Sequence, residues 1–222
     1  MFDGTMAVRK QPGRDETILV EETHRQTQAE RRETAERAIL EAAKAIVAEK
    51  GVEELTLNAA GEAAGYSRAL PNHYFGSKAA LLQALADHIT ASYNDRVRSA
   101  PLGETPIDRL CDLITFCIDD ALRDPTSVRA YQSIIAAGLN RPELRPIVDR
   151  MTRQSIEDLA SVVREGRDSG QIRADARPRA EAAVILASLR GVLFQWLIIP
   201  DHVELLRVRD SLVASIRRSL AA

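Results

Sequence analysis

A stretch of the chain without acidic residues carries the side chains best suited to chemistry. It lies between Glu62 and Asp87. Its cationic or titratable groups are Arg68, His73 and Lys78. An arginine can donate two hydrogen bonds at once to guanine O6 and N7, whereas a lysine suits a phosphate oxygen. The stretch therefore favours contact with a polyanion such as DNA.

Other side chains in the same stretch offer hydrogen bonds and apolar contacts to base edges. Asn72 and Tyr74 can hydrogen-bond, and an asparagine matches adenine N6 and N7 together. Ala69 and Leu70 can contact thymine methyl groups. The candidate DNA-binding residues are Thr56, Asn58, Ser67, Arg68, Ala69, Leu70, Asn72, His73, Tyr74 and Lys78.

Two short helices joined by a glycine turn must position these residues. Residues 58–64 are rich in Ala and Glu, which favour helix. Gly65 suits the left-handed conformation just past a helix end. Ser67 is a good N-cap, so a second helix should run from near Arg68 to about residue 75.

A third helix should follow, because Ser77 can cap it and Lys78 then lies in its first turn. We expect Thr56, Ser67 and Lys78 to contact phosphates. The layout over about residues 56–75 is that of a helix-turn-helix, whose second helix enters the DNA major groove. Two short helices joined by a turn also occur in all-helical proteins that bind no DNA.

Charge supports nucleic-acid binding only locally. The net charge is −2, and residues 31–78 hold seven Lys or Arg and seven Asp or Glu. Non-specific DNA binding is mostly electrostatic, so it should be weak in this protein.

The sequence argues against disulfides, metal sites and membrane-spanning segments. Cys111 and Cys117 lie six apart, which is not a same-face helical spacing, so neither a disulfide nor a shared metal site is expected. His88 and His202 have no companions at metal-ligand spacing, so no metal is expected. No apolar run approaches the roughly 18 residues of a membrane span, and no signal peptide is evident. These observations predict a cytoplasmic protein that keeps its thiols reduced and has no membrane contact.

An enzyme is also not expected. The sequence has no glycine-rich phosphate loop, no nucleophile elbow and no spaced carboxylate pair. It therefore predicts no catalytic residues and no cofactor.

The N-terminal part divides into a polar segment and a helix. Residues 1–30 are broken by Gly and Pro, which is typical of a flexible, solvated tail. A basic arm reaching into a minor groove is the alternative, but this segment holds six acids and four Lys or Arg. Residues 33–50 show an amphipathic helical pattern that Gly51 should end.

Beyond residue 78 the whole pattern is helical, and prolines mark several helix starts. No alternating β pattern appears, so the fold class should be all-α. The expected helices are 78–98, 106–123, 126–138, 142–169, 178–198 and 202–220.

The last two expected helices carry distinctive faces. Small residues at Ala183, Ala187 and Gly191 would let another helix approach closely. The final helix carries an apolar face that includes Leu205 and Leu212. These helices could join a second copy of the chain, or they could close the core of a single chain.

Residues 33–93 resemble the DNA-binding domain of the TetR family of transcriptional repressors. The resemblance rests on Arg37, Ile39, Leu40, Ala42, Ala43, Gly51, Thr56, the run Ala64-Gly65-Tyr66-Ser67-Arg68 and the run from His73 to Leu81. It implies a three-helix helix-turn-helix domain over residues 33–93 and a helical ligand-binding and dimerisation domain over residues 94–222.

Two segments depart from the common pattern of that family. Ala60 and Gly61 stand where Ile-Ala is usual, which weakens the second helix. Pro71 and Asn72 stand where Leu-Tyr is common, so the usual tyrosine contact would pass to Asn72 or Tyr74. These departures affect individual contacts more than the fold.

The resemblance also implies a homodimer and a small-molecule effector. The expected dimer interface comprises Ala183, Ala187, Gly191, Leu205, Val208, Leu212 and Ile216. The expected effector pocket is lined by Phe116, Cys117, Tyr131, Ile134, Met151 and Trp196. Ordinary core packing is the alternative for each pocket residue.

Two functions remain open at this point. The first is a transcriptional regulator, a repressor that a small-molecule effector releases from a palindromic double-stranded DNA operator. The second is a helical ligand-binding or adaptor protein whose N-terminal helices do not recognise DNA.

Overall fold

The computed structural model of the protein describes residues 27–222, and in this range it contains nine α-helices and no named strand. The helices are α1 Gln28–Glu54, α2 Leu57–Ala63, α3 Leu70–Phe75, α4 Lys78–Arg98, α5 Pro106–Arg123, α6 Pro125–Ala137, α7 Arg145–Asp168, α8 Pro178–Ile198 and α9 Leu205–Leu220. The predicted all-α fold class is confirmed.

The first helix begins earlier than predicted. Thr27 caps it through a capping box: the Glu30 amide donates to Thr27 Oγ1 at 3.2 Å, and the Thr27 amide donates to Glu30 Oε2 at 2.7 Å. Helix therefore starts at Gln28, inside the segment predicted to be a tail, and residues 1–26 lie outside the described residues. Gly51 breaks the helix as predicted, because its φ of 82° lies outside the helical range.

A side-chain cap or a proline in the first turn marks most other helix starts. Thr105 accepts from the Asp108 amide at 3.2 Å and precedes a proline at the first position of α5. The predicted start of α7 was wrong, because Pro142 lies in a turn closed by the Leu144 amide donating to the Arg141 carbonyl at 3.1 Å. Pro146, in the first turn of α7, marks the actual start.

The final helix also starts later than predicted, at Leu205 and not at residue 202, because residues 201–204 form a turn and coil. Its C-terminal end at Leu220 agrees with the prediction.

Two groups of buried side chains hold the helices together. The first surrounds Ile39 and Leu85 in the N-terminal helices and continues into α6 and α7 through Ile134 and Met151. The second joins α5, α7, α8 and α9 around Ile114 and Leu189. Because α1 packs along α6, the N-terminal helices are attached to the rest of the protein by much more than α4.

α8 has an apolar face that the described residues 27–222 do not cover. It is long and apolar enough to cross a membrane by length and composition, with a mean hydropathy of 1.5, although the sequence predicted no such segment. Only 22% of that apolar window is buried. Arg190 near its middle donates hydrogen bonds to side chains of α6 and α7, which fixes α8 as a packed helix of this fold.

Candidate nucleic-acid interface

The first helix of the predicted helix-turn-helix is fixed by a cap. Thr56 Oγ1 accepts a hydrogen bond from the Ala59 amide at 3.0 Å, and this bond starts α2. Gly65 then adopts a φ of 76°, the left-handed conformation that the sequence predicted. The Tyr66 amide donates to the Gly61 carbonyl at 2.9 Å and closes the turn.

The second helix starts two residues later than predicted. Ser67 is not its N-cap, and its backbone carbonyl instead accepts from the Leu70 amide at 3.1 Å in a preceding turn. α3 therefore runs from Leu70, and Arg68 lies in the turn before it. The predicted end at residue 75 is confirmed.

Two departures from the family pattern pack against each other. Pro71 is buried in the first turn of α3. A Cβ atom added at Gly61 would lie 2.8 Å from Pro71 Cγ and 3.0 Å from the Ser67 carbonyl oxygen. Gly61 is thus the residue type that lets the proline ring approach α2, and the two substitutions form a matched pair.

Most predicted DNA-binding residues are exposed to solvent. We call this exposed set the recognition surface, and it comprises Thr56, Asn58, Ser67, Arg68, Ala69, Asn72 and His73. Its charge is balanced, because Arg68 Nη2 lies 3.1 Å from Glu62 Oε2 and both side chains are more than 60% exposed.

Three further candidates are half-buried and have other contacts. Leu70 and Tyr74 pack against the buried side chains of the N-terminal helices. Lys78 Nζ donates to the Glu53 carbonyl oxygen at 2.7 Å, which joins the start of α4 to the end of α1. Their roles at DNA stay predictions, and a phosphate would have to compete with the Glu53 carbonyl for Lys78.

Arg32 is a candidate DNA-binding residue that the sequence did not reveal. Its guanidinium lies 5.2 Å from the centre of the Tyr74 ring, and its Nε donates to Glu36 Oε1 at 2.8 Å. A residue so far from the helix-turn-helix in sequence carries no local signal of this contact. The fold alone places a cation of α1 beside α3.

Most of the predicted effector residues divide between the two groups of buried side chains. Ile134 and Met151 are buried in the first core, with at most 6% exposure, so they pack the N-terminal helices against α6 and α7. Cys117 and Trp196 lie against the second core. A cleft of about 230 Å³ lies elsewhere, between α4 and the turn before α7, and none of the six predicted residues lines it.

Tyr93 was missed by the sequence prediction and lies beside two predicted residues. Its ring centre is 5.9 Å from that of Phe116. Burial raises the pKa of the Cys117 thiol to about 11, partly offset by a hydrogen bond from the Tyr93 hydroxyl. Burial raises the pKa of Tyr93 as well, and Cys117, Asp120 and Tyr131 add to the effect. Tyr93 and Cys117 therefore stay neutral at physiological pH.

The predicted dimer residues separate into exposed and buried sets. Ala183 and Ala187 are exposed, and a Cβ added at Gly191 would have no atom within 4 Å. Val208 and Leu212 are half-buried. Leu205 and Ile216 are only 4% and 7% exposed inside the second core of the same chain, so little of either side chain is left to contact a partner.

The exposed side of α8 is more apolar than predicted. Val184, Phe194 and Ile198 are 56%, 48% and 62% exposed. Together with Ala183 and Ala187 they form one stripe, which we call the outer face of α8.

Across residues 27–222, no group of three or more His, Cys, Asp or Glu side chains could hold a metal ion.

Comparison with known proteins settles the family. Residues 39–85 match the family description "Bacterial regulatory proteins, tetR family", and residues 106–221 match "BetI-type transcriptional repressor, C-terminal". The chain belongs to the TetR family of transcriptional regulators. The predicted resemblance and function as a DNA-binding, ligand-responsive repressor are confirmed. The family is one of regulators and not of enzymes.

Individual relatives agree with this assignment. The HTH-type transcriptional regulator TtgR of Pseudomonas putida is 28% identical to this TetR-family protein over 193 residues, which are 82% of this chain and 89% of TtgR. A TetR-family regulator from Rhodococcus sp. superposes with a TM-score of 0.75 at 24% identity, covering 85% of this chain and 100% of the other.

A third similar protein was solved with a small molecule. It is a transcriptional regulator from Saccharomonospora viridis in complex with choline, with a TM-score of 0.71 and 21% identity. The match covers 86% of this chain and 99% of that one. At this identity the likeness establishes a shared fold.

Proposed function

We propose that this TetR-family protein is a homodimer that binds a palindromic operator through α2 and α3 and leaves it when a small molecule binds among α4–α8. The recognition surface carries the first part of the proposal. Its side chains Arg68, Asn72 and His73 are exposed, and no acidic residue occurs from position 63 to position 86. Such side chains can bond base edges in a major groove.

The Gly61–Pro71 pair argues against the alternative of an adaptor that has lost DNA binding. That alternative depended on the weakened second helix. The proline ring fills the space that a larger residue at position 61 would occupy, so α2 and α3 are held together by a matched contact. The helix-turn-helix is intact in shape.

Binding to selected DNA tests the recognition surface. Duplexes enriched from a random library would be titrated by fluorescence anisotropy. We expect Arg68→Ala to cost about 1–3 kcal/mol and to relax preference at one base pair. Arg218→Ala removes the same charge from an exposed position on α9 and should leave affinity unchanged. Equal affinity and base preference for Arg68→Ala and wild type would exclude this surface.

The Arg68–Glu62 pair allows a test in which DNA affinity should rise and not fall. Glu62 holds the guanidinium in an exposed ion pair, which contributes at most about 1 kcal/mol. Glu62→Gln should free Arg68 and remove a negative charge next to the phosphates. We expect DNA affinity to rise a few-fold, most clearly at low salt. A fall in affinity would mean that Glu62 itself contacts DNA.

We propose that the outer face of α8 forms the dimer interface. Exposed apolar side chains on one helix stripe are the surface that a second copy would bury. Val184→Glu should give monomers in sedimentation velocity, because a charge would enter the interface. Leu139→Glu is the matched control, since Leu139 is 76% exposed and lies in the turn just after α6, not on α8. If Val184→Glu stays dimeric, the interface lies elsewhere.

Two connections can carry an effector signal to α3. Arg96, near the end of α4, makes two hydrogen bonds of 2.8 Å to the buried Asp120 of α5. The packing of α1 on α6 is the second connection. A shift of α5 or α6 on effector binding would therefore move the recognition surface.

Calorimetry with and without operator tests the coupling. A coupling free energy of about 1–3 kcal/mol is typical, and it must be equal in both directions. Equal effector affinity in the two titrations would mean that the ligand does not drive release.

A further inference from the structure

The arginines that are half-buried in this fold are paired with carboxylates, with one exception. Seven arginines of the described region are half-buried, and Arg190 of α8 makes no ion pair with any residue between 27 and 222. The other six, each with an acidic partner, are Arg96, Arg109, Arg141, Arg167, Arg173 and Arg209.

Arg190 is held in place by neutral groups. Its Nη2 donates to the Tyr131 hydroxyl at 2.7 Å, and its Nη1 donates to Thr152 Oγ1 at 3.1 Å. Its Nε is shielded from solvent and has no acceptor among the described residues. Gln132 Nε2 donates to the Arg190 carbonyl oxygen at 3.0 Å and fixes that turn of α8 against α6. The guanidinium is therefore oriented but not neutralised.

An uncompensated cation at this depth carries a desolvation cost. An arginine stays charged at any physiological pH, so it cannot relieve that cost by losing a proton. A carboxylate placed on the fork of the guanidinium would satisfy Nε and supply the missing charge. The arrangement is thus complementary to an anion that the chain itself does not supply.

The side chains near Arg190 indicate which chemical group the rest of such an anion would have. Tyr131 lies close enough to influence Tyr93, which contacts Phe116 and Cys117. These rings form a largely aromatic cluster beside the cation, and the buried Asp120 carboxylate near Tyr93 is already paired with Arg96. A small organic acid could place its carboxylate on Arg190 and its apolar body against these rings.

We propose that Arg190, Tyr131 and Thr152 form a binding site for the carboxylate of an amphipathic organic acid, and that this acid is the effector class of the protein. The proposal rests on the effector-binding role assigned above to α4–α8. It adds the charge of the ligand, which no family likeness specifies.

Matched acids and amides test the site without DNA. The probes are salicylate, phenylacetate and octanoate, each with its neutral amide, at constant ionic strength. Trp196 is the only tryptophan of the chain and lies on the same helix as Arg190, so its fluorescence reports binding. Calorimetry gives the dissociation constants. We expect at least one acid to bind about ten times more tightly than its amide.

Variants of Arg190 then test whether its guanidinium binds the carboxylate of the acid. Arg190→Met should weaken binding of that acid by about 10- to 100-fold and leave the amide unchanged. Arg190→Lys keeps the positive charge but loses the two parallel N–H donors of the guanidinium. Its affinity for the acid should therefore lie between that of wild type and that of Arg190→Met. Arg129→Met is the control, because Arg129 is an exposed arginine of α6 that makes no ion pair with the described residues. Thermal melts verify that each variant is folded.

Three results would overturn the proposal. The first is that no acid of the panel binds better than its amide. The second is that Arg190→Met keeps the preference for the acid. The third is that Arg190→Met becomes monomeric, since the counterion would then come from a partner subunit. If an acid binds at Arg190 without changing operator affinity, the carboxylate site stands, but the acid is not the effector, and release by a different small molecule is still to be tested.

Discussion

The contact between Gly61 and Pro71 gives the sharpest prediction for the helix-turn-helix. Gly61→Ala would place a methyl group 2.8 Å from Pro71 Cγ and 2.9 Å from Pro71 Cδ. These two ring atoms cannot move easily, because the ring of Pro71 is rigid and Pro71 is itself buried in the first turn of α3. The Ser67 carbonyl oxygen at 3.0 Å is backbone and closes the third side.

Two effects of opposite sign decide the outcome. Replacing glycine by alanine inside a helix gains about 0.5–1 kcal/mol. Overpacking a rigid site costs about 1–3 kcal/mol. The clash should win, so Gly61→Ala should lower the free energy of unfolding by roughly 0.5–2 kcal/mol. It should also weaken operator binding, because the methyl group pushes α3 away from α2.

A double-mutant cycle isolates the contact. In a Pro71→Ala background the ring is gone, so Gly61→Ala should be neutral or stabilising there. The coupling energy should be about 1–3 kcal/mol. Urea titrations at one fixed protein concentration measure it, since the stability of a dimer depends on concentration. If Gly61→Ala stabilises both backgrounds equally, the effects are additive and the matched-pair argument is wrong.

Three other predictions concern single side chains. Because burial raises the pKa of Cys117 to about 11, iodoacetamide should modify it at pH 8 roughly a hundred times more slowly than in the urea-unfolded chain; equal rates would contradict the burial. Arg96→Met leaves the Asp120 carboxylate buried alone and should cost about 3 kcal/mol of stability, with partial recovery when Asp120→Asn is added; a loss below about 1 kcal/mol in urea would show that water screens the pair. Thr56→Ala should lose the α2 cap and about 1 kcal/mol, whereas Thr56→Ser should melt like wild type; equal melting of both variants would exclude the cap.

Helix existence, and several helix boundaries, could be predicted from the sequence. The starts of α4, α5 and α8 agree with the prediction, at Lys78, Pro106 and Pro178. Caps and helix-starting prolines act within about one turn of the chain, so their signal is contained in a few neighbouring residues. The turn at Gly65 was equally local, because only the backbone freedom of glycine was needed.

The start of α3 shows where local reasoning failed. Ser67 is a good capping residue, but in the structure it lies in a turn that precedes the helix and lets Pro71 pack on Gly61. α3 therefore starts at Leu70 and not directly after Ser67. That contact joins two helices. Propensity at a single position therefore could not predict it.

The family and the broad function were also determined by the sequence, because the residues of the helix-turn-helix are close together in the chain. The partners of individual side chains were not. Lys78 bonds the Glu53 carbonyl, and Arg32 lies over Tyr74, through contacts between residues 25 or more positions apart. Only the packing of α1 against α3 and α4 decided these.

Which apolar side chains are buried in the chain's own core and which stay exposed was decided by the tertiary structure alone. Helical periodicity gave Leu205, Ile216 and Ala187 the same apolar character. The packing of α9 on α5 buries the two larger residues, whereas Ala187 stays on the uncovered side of α8. A periodic pattern shows that a helix has an apolar face, but the direction of that face is fixed only when the other helices pack around it.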